Sequence, residues 1–175
     1  AGVLGEIGAH FTWISPVEER VFRAVARAHK KTGVTVLTHA TNWPVGLDQL
    51  DILTEEGVDP RRIVIGHCQS YPHHEYHAEI ARRGAFVAFD RMAIPNEYER
   101  ELMMRNIKQM VDAGLTDHVV FGQDVCRRSD YFAYGGRGYG YLPSTLREDL
   151  YEIGVSEEQY NQITVDNARR ALTGE

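Results

Sequence analysis

The chain has 175 residues, of which 43% are hydrophobic and 25% charged, a balance that is typical of one globular domain and argues against a disordered or fibrous chain. Its formal net charge of -6 disfavours partners that present phosphates, such as nucleic acids or anionic membranes. No run approaches the roughly 18 apolar residues of a membrane-spanning helix, and two cysteines, Cys68 and Cys126, favour a reducing cytoplasmic location over a disulfide framework.

Short β-rich runs alternate with amphipathic helices along the chain. A capping box at Ser15 and Glu18 opens the first helix, and Gly33 ends it. Further helices are predicted at about 47–56, 74–83 and 97–113, and closing helices begin at Ser156 and at about Asn167. The strands are nearly continuously apolar, as expected of parallel strands covered on both faces, and are predicted at residues 3–7, 35–38, 63–65, 86–89 and 119–121.

Strands that alternate with helices predict βαβ units and a parallel sheet. The two common forms are an open doubly wound sheet and a closed (β/α)8 barrel. The segment Gly5-Glu6-Ile7-Gly8 lacks the pattern of a phosphate-binding loop, which an open nucleotide-binding sheet carries after its first strand. We therefore favour the barrel, which places its chemistry at the carboxyl ends of the strands.

Each predicted strand ends in a polar or ionisable residue. Burying such a group without a partner costs about 2–7 kcal/mol, and more for a charge, so we expect these side chains to converge and satisfy one another. Imidazole and carboxylate together suit a zinc, manganese, iron or cobalt ion. One histidine of this kind is most often a structural residue, but a succession of them favours a shared metal. The strand-end residues are Glu6, His39, His67, Asp90 and Asp124.

Four segments resemble the phosphotriesterase family of the amidohydrolase superfamily. They are Val36-Leu37-Thr38-His39, Ile65-Gly66-His67, Phe121-Gly122-Gln123-Asp124 and the closing Asn167-Ala168-Arg169-Arg170. The resemblance implies an α/β fold, the (β/α)8 TIM barrel, with residues 1–175 forming a single domain that holds only strands four to eight.

The resemblance also implies a binuclear centre of divalent metal, zinc or else manganese, cobalt or iron. Glu6 matches the bridging position of the glutamate-bridged, lactonase-type branch, and His39 and His67 match ligands of the second metal. Asp124 matches an aspartate that binds metal and accepts a proton from the bridging water. The implied reaction is attack of a metal-activated hydroxide on a lactone, a carboxylic ester or a phosphotriester.

The chain departs from the family pattern at its start. It has no HxH pair and no strands one to three, and it is roughly 75 residues shorter than a barrel of about 250. It also begins with Ala1, inside a strand. We therefore expect that a preceding piece is missing or that another chain supplies it. Two alternatives stay open, a degenerate barrel fragment that acts as a binding module, and another amidohydrolase reaction such as amide hydrolysis or deamination.

Substrate contacts are predicted from two loops. Arg91 matches a residue of the lactonase-type members and could steer an ester oxygen, or it could form a salt bridge with Asp90 or Glu97. Residues 131–141, rich in glycine and tyrosine and ending at Tyr141, could form a substrate lid, a packing loop or a contact in a homodimer. His73 and His77, four residues apart, offer a weaker second metal site. The expected partner is a small-molecule ester or lactone.

Overall fold

The computed structural model describes residues 2–10, 12–93 and 96–175. Its centre is one sheet of five parallel strands in the order β1-β2-β3-β4-β5. A doubly wound sheet reverses its strand order at a switch point, whereas a barrel wall keeps sequential order. The sheet therefore has the order of a barrel segment. Its strands are β1 (Val3–Gly8), β2 (Thr35–His39), β3 (Ile63–Gly66), β4 (Phe86–Phe89) and β5 (Val119–Phe121).

Helices follow the strands in the predicted alternation. The capping box at Ser15 is present, and Gly33 ends the first helix in the left-handed region with φ 69°. In the part of the chain that the structure describes, no helix has the length and apolar character needed to cross a membrane. The helices are α1 (Pro16–Thr32), α2 (Val45–Glu55), α3 (His74–Arg82), α4 (Glu97–Asp112), α5 (Thr145–Glu152), α6 (Glu157–Asn161) and α7 (Asn167–Thr173).

The two faces of the sheet carry different contacts. Residues such as Val36, Ile65 and Val87 pack against the helices in the main core. Alternate residues form a second cluster on the opposite face, around Leu37 and Ala88. Because side chains alternate along a strand, His39 lies on the same face as Leu37, and Asp90 on the same face as Ala88. Alternation alone would place His67, two positions beyond Ile65, on the helix face, but His67 lies outside β3 and its left-handed backbone (φ 58°) departs from strand geometry.

The sequence predicts that a new helix begins near Asn167. In the structure, the helix that begins at Glu157 continues through this point. A π turn, Gln162–Asp166, joins α6 to α7 without a break. Asn167 is fully buried, and its Nδ2 donates to the carbonyl oxygens of Thr116 (2.8 Å) and Val119 (2.7 Å). The extra residue of a π turn shifts the helix face by one position, and here Asn167 ties the last helix to the start of β5.

Replacing Asn167 with alanine should lower the free energy of unfolding by about 2–3 kcal/mol, because two buried carbonyl oxygens lose their donor. Urea denaturation measures this difference. Asn161→Ala, an exposed position on α6, is the matched control and should cost less than about 0.5 kcal/mol. Equal effects of the two variants would contradict the role given to Asn167.

A candidate metal centre at the strand ends

Three of the predicted ligands converge at the carboxyl ends of β1, β2 and β3. One potential ligand atom from each of Glu6, His39 and His67 lies within 4.8 Å of the other two. The two imidazole rings meet edge to face with centroids 4.6 Å apart. His67 Nε2 and Glu6 Oε1 are separated by 2.7 Å. The sequence predicted this convergence from the positions of the residues at the strand ends.

An irregularity in β1 directs Glu6 toward the site. Leu4 pairs with Val36 and Ile7 with Thr38, so that two residues of β1 stand opposite one residue of β2. Such a bulge redirects a side chain. Gly5 has φ 152°, and a Cβ there would lie 2.2 Å from the Leu37 carbonyl oxygen. Only glycine fits this position.

His67 is held in a defined orientation by Asp90. Its backbone adopts the left-handed region with φ 58°, an uncommon conformation for a residue with a side chain. Its amide N–H donates to Asp90 Oδ2 (2.9 Å), and its Nδ1 lies 2.7 Å from Asp90 Oδ1. A carboxylate only accepts hydrogen bonds, so Nδ1 donates to Asp90, while Nε2 is directed at Glu6 Oε1 on the other side of the ring. Metal-ligating histidines commonly have a carboxylate behind the ring in this way.

Two glycines leave the space that Asp90 occupies. A Cβ on Gly66 would lie 3.2 Å from Asp90 Oδ2 and 2.2 Å from the Thr38 carbonyl oxygen, and a Cβ on Gly122 would lie 2.8 Å from Asp90 Cβ. Gly66 is the last residue of β3, and Gly122 directly follows β5. A side chain at position 66 would thus collide first with the backbone of β2, and one at position 122 with the Cβ and backbone of Asp90.

The site has a strongly negative field. Burial of His67 opposes its positive charge, but the hydrogen bond and charge of Asp90, together with the charges of Glu6 and Asp124, raise its pKa above the ordinary value. Three carboxylates thus act on one buried imidazole. Such a field favours a bound cation.

Asp124 lines the same cleft but stands apart from the group of three. It follows β5 in the left-handed region with φ 48°. A cleft of about 520 Å³ is lined by His39, His67 and Asp124 together. Among the described residues, the group of donor atoms within 4.8 Å comprises Glu6, His39 and His67, without Asp124. Its role as a metal ligand stays a prediction.

Arg91 forms an ion pair with Asp124, at 3.3 Å between Arg91 Nε and Asp124 Oδ2. This partner differs from Asp90 and Glu97, the two that the sequence suggested for a structural salt bridge. Arg91 also lines the cleft. Its position is compatible with the predicted contact to a substrate oxygen.

Tyr141 is placed differently from Arg91. It is buried, its hydroxyl donates to Asp149 Oδ2 (3.2 Å), and the guanidinium of Arg137 lies 4.6 Å from its ring centroid. The loop reaches the cleft through Gly135, Gly136 and Arg137. A contact of Tyr141 with substrate therefore stays a prediction, and the observed contacts are those of a packing residue.

His73 and His77 do not form a ligand pair. His77 is fully buried, its Nε2 lies 2.9 Å from the Cys68 carbonyl oxygen, and burial lowers its pKa to about 4. His73 stacks on Tyr71, with ring centroids 4.3 Å apart. Cys68 is buried, and its Sγ lies 3.2 Å from the Ile65 carbonyl oxygen.

Sequence reasoning named Asp90 as a strand-end residue without giving it a role. It missed Gln69, whose side chain also contacts Asp90. Asp90 directly follows β4, and this position indicates that it lies near the other strand-end residues. Gln69 has no such signal, because nothing in a Cys-Gln-Ser segment indicates a contact with a strand 21 residues away.

The sequence is similar to known proteins over most of its length. The model of the phosphotriesterase family matches residues 1–172. The phosphotriesterase homology protein of Escherichia coli is 35% identical over 167 residues, which are 95% of this chain and 57% of that protein. An aryldialkylphosphatase of Saccharolobus solfataricus is 36% identical over 131 residues, covering 72% of this chain and 40% of the relative.

Two solved structures have the same fold over the part that this chain covers. The E. coli phosphotriesterase homology protein, complexed with phosphate in its active site, superposes with a TM-score of 0.92 at 34% identity, over 97% of this chain and 59% of that one. The lactonase Lmo2620 from Listeria monocytogenes has a TM-score of 0.87 at 29% identity, over 100% of this chain and 55% of that one. The chain thus spans little more than half the length of these proteins.

Proposed function

The chain belongs to the phosphotriesterase family, and on that premise we propose that it forms the carboxyl-terminal part of the active site of a metal-dependent hydrolase. The observation that carries this proposal is the convergence of Glu6, His39 and His67, whose potential ligand atoms lie within 4.8 Å of one another at the ends of adjacent parallel strands. Such positions are where barrel enzymes place their catalytic groups.

The donor set fits a divalent ion of the zinc class. Two imidazoles and a carboxylate suit zinc, and manganese, cobalt and iron accept the same ligands. Glu6, His39 and His67 would hold the ion, and Asp90 supports His67 from behind. A bound ion would supply a water of lowered pKa and polarise a carbonyl or phosphoryl oxygen.

The remaining groups of the cleft have separate roles in the proposal. Asp124 accepts a proton from the attacking water, since its carboxylate faces the cleft beside the two histidines. Arg91 pairs with Asp124 and orients it. The exposed part of the Arg91 guanidinium steers an oxygen of the substrate.

The proposed substrates are small lactones or carboxylic esters, with phosphotriesters as further candidates. Their support is that one similar structure is a lactonase and one relative is an aryldialkylphosphatase. The cleft of about 520 Å³ has the size of a small-molecule site. Arginine beside the cleft is compatible with either an ester or a phosphoryl oxygen.

A binuclear centre needs more ligands than these residues supply. The family pattern includes an HxH pair, and the 175 residues contain none. We propose that ligands from outside these residues, in the same chain or in another, complete the centre.

Location and assembly are also part of the proposal. Cys68 and Cys126 are free thiols, which suits a reducing cytoplasmic compartment. Phe132 is 84% exposed and Tyr139 62% exposed on the loop after β5, and this apolar surface suits a homodimer contact.

The direct test is the metal content of the purified chain after equilibration with zinc. We expect about one ion per chain from the three convergent ligands. His39→Ala should weaken zinc binding by more than about a hundredfold. Loss of a residue that only hydrogen-bonds to a ligand already lowers metal affinity about 10–100-fold, and His39 would itself be a ligand. Competition titration with a chromophoric chelator measures the change.

His118→Ala is the matched control, because His118 Nδ1 lies 3.1 Å from the Ala85 carbonyl oxygen, before the start of β5 and away from the strand ends. Its zinc affinity should be unchanged. A chain that binds no zinc would favour the non-catalytic module, whereas two ions would show that the centre is complete without further ligands. Assays with lactones, aryl esters and phosphotriesters, with and without zinc, then test the reaction.

A further inference from the structure

Gln69 lies in the short turn Cys68–Ser70 that follows His67, and it is 8% exposed. Its side-chain amide makes two contacts with one residue of the neighbouring strand end. Asp90 N–H donates to Gln69 Oε1 (3.2 Å), and Gln69 Nε2 donates to Asp90 Oδ1 (3.3 Å). Backbone and side chain of Asp90 are thus both held by one amide.

The orientation of this amide follows from its partners. The backbone N–H of Asp90 only donates, so the atom that faces it is the oxygen of Gln69. The nitrogen then faces the carboxylate, which only accepts. Asp90 Oδ1 therefore accepts from both Gln69 Nε2 and His67 Nδ1, while Oδ2 accepts from the His67 amide.

The turn that carries Gln69 is itself fixed. Ser70 Oγ donates to the His67 carbonyl oxygen (2.7 Å), and His77 Nε2 lies 2.9 Å from the Cys68 carbonyl oxygen. Because the backbone on both sides of Gln69 is held by hydrogen bonds, the side-chain amide of Gln69 can fix the position of Asp90.

We infer that Gln69 is a positioning residue: it fixes the carboxylate of Asp90, and Asp90 in turn orients the His67 ring so that its Nδ1 points at Asp90 and its Nε2 points at Glu6. The metal-binding part of this inference rests on the proposed function. The orientation of the His67 ring does not, because the hydrogen bonds that hold it join only Gln69, Asp90 and His67.

The test uses Gln69→Met, which keeps the length of the side chain and removes both hydrogen bonds. In the metal-free chain, ¹⁵N NMR of the His67 ring should show the Nδ1 proton exchanging faster and its signal shifted. Zinc binding should weaken about 10–100-fold, the effect expected for an outer partner of a ligand. Asn106→Leu is the control, since Asn106 is also a buried amide but lies on α4, and it should leave the His67 signal unchanged.

A double variant separates positioning from a general structural effect. If Gln69 acts through Asp90, then Gln69→Met combined with Asp90→Asn weakens zinc binding no more than Asp90→Asn does. Additive losses would overturn the inference, and so would an unchanged His67 signal in Gln69→Met. If that variant does not fold, Gln69→Asn keeps an amide that is one methylene too short to reach Asp90, and the same shift of the His67 signal is expected. If the unsubstituted chain binds no zinc, the proposed function fails while the NMR result still decides the role of Gln69.

Discussion

Replacing Asp124 with asparagine should lower kcat for the hydrolysis of a lactone or triester by about 100- to 10,000-fold, the contribution expected of a positioned proton acceptor. Asparagine has nearly the same shape as aspartate but cannot take up a proton. Asp124 lines the cleft with His39 and His67 and lies outside the group of three close ligands. We therefore expect zinc affinity to change by less than about tenfold, below the range for removing an outer partner of a ligand.

Steady-state kinetics and a zinc titration on the same preparations test this prediction. Asp117→Asn is the matched control, because Asp117 is a half-exposed carboxylate in the turn before β5, at the other end of that strand. Its kcat should be unchanged. An unaltered kcat in Asp124→Asn would remove its role as proton acceptor. A loss of zinc that parallels the loss of kcat would show that Asp124 acts as a ligand instead.

The strands and helices were largely predictable because their signals are local. Near-continuous apolar runs mark parallel strands, and Ser15 and Gly33 mark the ends of α1 by capping. The convergence of Glu6, His39 and His67 was predictable as well. Parallel strands in sequential order bring their carboxyl ends to one edge, so the strand-end positions indicate the cluster, and the bulge in β1 and the left-handed backbone of His67 complete it.

The support around these ligands could not be predicted in the same way. Asp90 meets His67 across 23 residues of sequence, and the contact depends on side-chain rotamers and on the space left by Gly66 and Gly122. The partner of Arg91 likewise depends on the left-handed backbone at Asp124. Such contacts are set by tertiary geometry, which short-range patterns do not encode.

His77 is a case in which tertiary packing overrides a local pattern. The spacing of His73 and His77 suits a shared metal. The sequence does not show that the side chain of His77, on α3, is buried against the turn after β3. It packs edge to face on Phe89, with ring centroids 5.2 Å apart, and contacts the Cys68 carbonyl oxygen. Burial keeps the ring of His77 neutral. We therefore expect His77 to affect the pH dependence of stability rather than metal binding.

The free energy of unfolding should fall by roughly 3 kcal/mol through His77 as the pH is lowered from about 6.5 to about 4. Burial lowers the pKa of His77 in the folded chain to about 4, whereas the ordinary value in an unfolded chain is 6.5. Between these values the unfolded state binds the proton and the folded state does not, so acid favours unfolding. The contribution is fully present above pH 6.5 and is lost by about pH 4.

His77→Gln tests this prediction, because glutamine can still donate to the Cys68 carbonyl oxygen but does not titrate. Urea denaturation at intervals from pH 7 to pH 4 should give a shallower decline for this variant than for the unsubstituted chain. His73→Gln, at an exposed position, should follow the unsubstituted curve and controls for the loss of a histidine. Carboxylates that titrate in the same range contribute equally to all three chains, so they cancel in the difference. Parallel curves for His77→Gln and the unsubstituted chain would mean that the folded state accepts the proton, contrary to the burial of the ring.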